Sequence, residues 1–205
     1  QQLTQAAYRA LESAKAVSEL ANLLRSTVQG ELNVGCLLTF AQIVLPRLRR
    51  AYTETYPDVR FRQFQLHQAG LIDGLRDASL DVALTYDLAI PDDLVFVPLV
   101  SLPPYVLFPE DHPLANLPQV TAKMLKDHPM VLLDLPLSSD YFLSFFRLSG
   151  LRPLIAERTR DMAVMRSLVA NGYGYSIANI RPLNDLAPDG RRLRYVPMVG
   201  PVAPM

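Results

Sequence analysis

The sequence predicts an α/β architecture of two units preceded by a long helix. Three features carry this. Leu3, Ala7, Ala10, Ala14, Val17, Ala21, Leu24 and Val28 recur at alternating spacings of three and four, a heptad seam that stops at Gln29-Gly30. Glu31-Leu32-Asn33-Val34-Gly35 then alternates as a strand, and strand and helix patterns take turns from there to Thr85. The alternation starts again after Pro103-Pro104.

The seam sets Ala7, Ala14, Ala21 and Val28 at one position and Leu3, Ala10, Val17 and Leu24 at the other, while Glu12, Lys15, Glu19 and Arg25 stay solvated. A lone helix cannot bury such a seam, so it pairs with a second chain or lies on its own domain. Pairing makes Ala7, Ala14, Val17, Ala21 and Leu24 the dimerisation residues. After the first strand, a helix is expected over 41–56, ended by Tyr56-Pro57. A strand follows over Val59–Phe64, a helix over Gly70–Ala78, and a mostly buried strand over Leu80–Thr85. That order argues for a parallel sheet. Further strands are expected over Leu94–Leu102 and Tyr105–Phe108. The second unit then gives a short helix over Thr121–Lys126, a strand over Met130–Leu133 and a helix over Ser139–Ser149. A helix over Asp161–Asn171, a strand over Tyr173–Ile177 and a strand over Arg192–Pro197 complete it. Most of the 17 prolines fall between these elements.

Composition narrows the function. Half of the 205 residues are hydrophobic, enough to bury a real core, and 20 basic residues balance 20 acidic ones. A neutral chain lacks the electrostatic footprint of a nucleic-acid or acidic-membrane surface. One cysteine, Cys36, excludes an internal disulfide and suits a reducing compartment. No apolar run reaches the roughly 18 residues of a membrane-spanning helix. Beginning at Gln1 inside a periodic helix, the sequence reads as part of a longer chain.

Catalytic patterns are weak. Gly172-x-Gly174 is too short for a dinucleotide fingerprint and follows a helix. There is no phosphate-binding loop and no Gly-x-Ser-x-Gly elbow. His67, His112 and His128 are scattered without ligand spacing, so no metal site is expected. Cys36 fits a buried structural thiol better than a nucleophile. Polar residues beyond strand ends carry more: Thr39, Gln68 and Tyr86 follow the first three strands, and Ser138-Ser139-Asp140 follows the strand of the second unit. Ligands of open α/β sheets bind outside the carboxyl ends of strands, so these positions mark a candidate binding cleft. Plain helix caps at Thr39, Ser138 or Ser139, and packing at Tyr86, are the alternatives.

The chain resembles the effector-binding region of LysR-type bacterial transcriptional regulators over nearly its whole length. The resemblance runs through Leu45-Pro46, Tyr56-Pro57-Asp58-Val59, Gly74-Leu75 and Leu80-Asp81-Val82-Ala83. It is most specific at Pro98-Leu99 and Val106-Leu107-Phe108-Pro109-Glu110-Asp111-His112-Pro113-Leu114-Ala115. Ser149-Gly150-Leu151-x-Pro153 and Leu168-Val169-Ala170-Asn171-Gly172-x-Gly174 extend it. It implies two Rossmann-like subdomains of the type II periplasmic-binding-protein kind after a linker helix. The linker is 1–29, subdomain I is 30–103 with 198–205 and reads as truncated, and subdomain II is 104–197. It also implies an effector pocket at Thr39, Gln68, Tyr86, Pro136, Ser138, Ser139 and Asn179. Hydroxyls and helix N-terminal N–H groups there can hold a carboxylate, so a small organic or aromatic acid is the expected effector, to which Arg158 and Arg160 could add charge. No catalytic residue, metal or cofactor is implied. Self-association as a dimer or tetramer, a cytoplasmic location, no membrane contact, and DNA contact only through a winged helix-turn-helix outside this sequence are. Two departures bear on the pocket lining: Asn179 stands where proline is usual and Tyr175 where isoleucine is common. The runner-up is a periplasmic solute-binding protein of a transporter, in which the seamed helix has no role. An enzyme on the same fold lacks its catalytic constellation.

Overall fold

The computed structural model describes residues 28–202. The seam residues Ala7, Ala14, Val17, Ala21 and Leu24 lie outside the described residues. The chain divides between Leu84 and Thr85 into two compact units.

The first unit is built on β1 (Gly30–Cys36), with β2 (Val59–Gln65) on one side and β3 (Val82–Leu84) on the other, all parallel. Cys36 pairs with both Gln65 and Leu84, so the three strands end level. The expected helix over 41–56 is two helices, α1 (Leu38–Ile43) and α2 (Leu45–Thr55), meeting at Val44. Pro46 explains the break: it has no N–H to donate back into α1, but it fits the first turn of α2. Helix α3 (Gln68–Arg76) starts where the His67 Nδ1 accepts the Gly70 amide at 3.0 Å. It lies close on β1, because Leu80 fills the space that a Cβ on Gly35 or Gly74 would need. Cys36 is fully buried, and burial pushes its thiol pKa up, as suits a structural thiol.

No strand forms over Leu94–Leu102. The segment carries no strand pairing, with Val95 92% exposed and Val97, Leu99 and Val100 exposed as well. Its apolar residues match a strand pattern, but Pro98 and Pro103 supply no N–H to a ladder, and no described strand lies alongside.

The second unit holds two sheets. In one, β4 (Tyr105–Pro109) lies antiparallel between β7 (Ser176–Ala178) and β8 (Leu193–Pro197). In the other, β5 (Pro129–Leu133) runs parallel to β6 (Leu154–Thr159). The sequence pattern misses β6 because this edge strand is mostly exposed and offers no clean apolar alternation. All five residues of β4 are buried, as expected of a strand covered on both faces. On one face Val106, Phe108, Ile177 and Val196 join Met130, Leu132 and α5 (Ser138–Arg147), which contributes Phe142, Phe145 and Phe146. On the other lies α6 (Met162–Ala170), whose Arg166 sits over the Tyr195 ring. Asp161 caps α6 by accepting the Ala163 and Val164 amides at 2.7 and 3.0 Å. A short helix, α4 (Ala122–Leu125), completes the unit.

The two sheets are spliced at Tyr175. Its N–H donates to the Pro129 carbonyl at 2.9 Å, and its carbonyl accepts the Val131 N–H at 2.7 Å. Gly174 makes the approach possible: its φ is +145°, and a Cβ there would overlap the Pro129 carbonyl oxygen. Gly174→Ala should therefore cost about 1–3 kcal/mol from the backbone alone, and more from the overlap. At roughly 2–4 °C per kcal/mol, the melting temperature falls by several degrees. An unchanged melting curve would contradict this splice.

After β4, His112 stacks on Phe108 at 4.4 Å between ring centroids, and its Nδ1 accepts the Leu114 amide at 3.2 Å. Burial, then the neighbouring His128, hold its pKa down at about 4 against 6.5 in the open chain. The unfolded chain thus takes up this proton first, and stability drains away as pH falls from about 6.5 towards 4. His112→Asn keeps an acceptor for Leu114 without the titration. Urea unfolding at pH 7 and pH 4.5 should show the variant losing less stability than wild type; equal losses would refute the assignment.

Candidate functional site

In the first unit, the level ends of β1 and β2 bring Thr39 and Gln68 to one edge of the sheet. Thr39 is the second residue of α1 and does not cap it: Leu37 holds that place, with no side-chain capping bond. The Thr39 side chain is 8% exposed, and its hydroxyl is buried without a hydrogen-bond partner. A buried polar group in that state is costly, which makes it a place where a ligand atom is favoured. Gln68 opens α3, half-buried, with capping done by His67. Tyr86 follows β3 by two residues, on the far side of the division between units, and is buried.

In the second unit, Pro136, Ser138 and Ser139 form the entry to α5. The N-cap position is Leu137, again without a side-chain cap, so neither serine caps the helix. Leu137 has φ +66° and ψ −44°, and the Ser138 N–H donates back to the Pro136 carbonyl at 2.8 Å. This is a γ-turn of the strained hand. The two serines become the first residues of a ten-residue helix whose N-terminus carries the positive end of its dipole. Ser138 and Ser139 are half-buried.

Asn179 closes this group. It follows β7, is 6% exposed, and its Nδ2 donates to the Leu102 carbonyl at 2.6 Å. Its Oδ1 is buried with no partner. The same amide meets the hydroxyl of Tyr141 on the first turn of α5. Burial pushes the Tyr141 pKa up, and the bond to Asn179 opposes that. Ser138, Ser139, Tyr141 and Asn179 therefore gather at one end of the second unit. Sequence pattern does not single out Tyr141, because an aromatic on an amphipathic helix reads as core. Tyr175, expected to alter the pocket lining, instead lies fully buried in the core against Phe108, at 6.1 Å between centroids.

Arg158 is not a free cation: it pairs with Asp134 at 3.1 Å, both groups partly exposed. Arg160 is exposed. No cluster of three or more potential metal ligands occurs among the described residues. Nor is any described helix long and apolar enough to cross a membrane. Neutral donors and a helix N-terminus thus make up the polar equipment, which suits holding an anion.

The LysR substrate binding domain family matches residues 25–205. The chain belongs to this family. As a LysR substrate-binding domain it has the type II periplasmic-binding-protein-like fold, seen in its solved neighbours. HinK, a LysR family transcriptional regulator from Pseudomonas aeruginosa, is 31% identical with a TM-score of 0.82, over 95% of this chain and 67% of that one. The effector binding domain of QuiR in complex with shikimate is 20% identical with a TM-score of 0.70, over 86% and 84% of the two chains. That of BenM with benzoate is 20% identical with a TM-score of 0.69, over 87% and 81%. At that identity these two show the shared fold alone. The first curated relatives are HTH-type transcriptional regulators, and the chain spans about half their length.

Proposed function

We propose that this LysR substrate-binding domain senses a small carboxylic acid, and that the whole protein is a cytoplasmic transcriptional regulator. The residues that contact the acid in this reading are Thr39, Gln68, Tyr86, Pro136, Ser138, Ser139 and Asn179. The observation that carries the reading is the Thr39 hydroxyl, buried at a strand mouth with neither a capping role nor a partner. The uncapped N-terminus of α5 supports it as the place for the carboxylate. Shikimate in QuiR and benzoate in BenM are both small acids, which is the same ligand chemistry. The transporter alternative draws no support from relatives that are transcriptional regulators.

In this reading residues 1–29 are the linker helix and pair two chains through Ala7, Ala14, Val17, Ala21 and Leu24. The body divides into 30–103 with 198–205, and 104–197. The acid favours one relative arrangement of the two subdomains, and the shift in population alters how linker helices pack and how DNA-binding modules are spaced. The chain itself performs no chemistry.

Thr39→Val keeps shape and removes the hydroxyl; Ser138→Ala removes the second. Each lost neutral hydrogen bond should cost about 0.5–1.5 kcal/mol, a weakening of roughly two- to twelve-fold. Calorimetry with the small acid that most stabilises the wild-type chain checks this. If both variants bound as tightly as wild type, this placement of the acid would fall.

A further inference from the structure

The Asn179 side chain is satisfied on one side only. Its Nδ2 is committed to the Leu102 carbonyl at 2.6 Å, on the segment leading into β4, and this fixes which way the amide faces. Flipping it would set two oxygens against each other. Its Oδ1 is therefore held as a pure acceptor on a residue only 6% exposed, buried with no donor paired to it. Tyr141 touches the same amide from the first turn of α5, so this acceptor lies within the reach of one tyrosine side chain from that turn. A buried acceptor left unpaired is destabilising, and the state that brings it a donor is favoured.

We infer that Asn179 selects the ligand: the effector carries a hydroxyl that donates to Asn179 Oδ1, making it a small hydroxylated carboxylic acid rather than an unsubstituted aromatic one. The inference rests on the reading that the acid binds at the α5 N-terminus. It adds a discrimination which that reading lacks. A site built to pair a ligand hydroxyl rejects the analogue without it strongly, because its own polar atom is then left buried and unpaired. The carboxylate supplies affinity common to all small acids, and Asn179 supplies the preference among them. Through its other arm on Leu102, the same side chain ties the ligand to the segment that leads into β4.

The test is calorimetry of the 205-residue chain with benzoate, the three monohydroxybenzoates and shikimate, on wild type and Asn179→Leu. Wild type should bind at least one hydroxylated acid about tenfold or more tighter than benzoate. Asn179→Leu should bring that acid to within about twofold of benzoate measured on the same variant. Equal binding of benzoate and every hydroxylated acid by wild type overturns the inference and leaves the proposed site standing. So does a preference that survives in Asn179→Leu. Binding of none of these acids overturns the inference and counts against the acid site together. Should the leucine variant fail to fold, the wild-type series decides alone.

Discussion

Two backbone hydrogen bonds at Tyr175, one given to Pro129 and one received from Val131, join the sheets of the second unit. The contact is short because Gly174 presents no side chain to β5. It runs β5 and β7 in the same direction, with Met130 bridged to Tyr175. Parallel strands joined in this way finish at the same edge. The chain leaves β5 into the entry to α5, and it leaves β7 at Asn179. The polar group of Ser138, Ser139, Tyr141 and Asn179 is thus a consequence of strand direction. The phenol ring of Tyr175 reinforces the splice by filling the core against Phe108, a job for which isoleucine would be small.

The first unit repeats the logic with different parts. Three parallel strands end level, and the helices after β1 and β2 start with their caps supplied by Leu37 backbone and His67, leaving Thr39 and Gln68 free of capping duty. A protein that wanted only stable helices would place serine, threonine or aspartate at the N-cap, as Asp161 does for α6. Here the hydroxyls of Thr39, Ser138 and Ser139 sit inside the helix start instead. That choice gives up local stability in exchange for polar groups at strand mouths, the pattern expected where function overrides propensity.

Parallel pairing in the first unit and most helices are readable from apolar periodicity, because β2, α3 and α6 each bury one well-defined face. Leu94–Leu102 reads falsely as a strand, since periodicity reports apolar side chains and not the presence of a neighbouring strand. The opposite failure occurs at β6: an exposed edge strand is held by backbone pairing that leaves little trace in side-chain pattern. Thr39, Ser138 and Ser139 can be located by position, but only coordinates separate a capping hydroxyl from an unpartnered one. Tyr141 and the one-sided bonding of Asn179 depend on contacts between residues far apart in the chain, and no local pattern encodes them.

The central proposal is that one small acid contacts Thr39 and Gln68 as well as Ser138, Ser139 and Asn179. Heteronuclear NMR of the ¹⁵N-labelled chain, titrated with whichever of shikimate, benzoate or the hydroxybenzoates binds tightest, tests it most directly. The account predicts that amides at Thr39 and Gln68 and at Ser138, Ser139 and Asn179 shift most, all saturating with one dissociation constant. Shifts confined to one unit, or centred away from these residues, would contradict it.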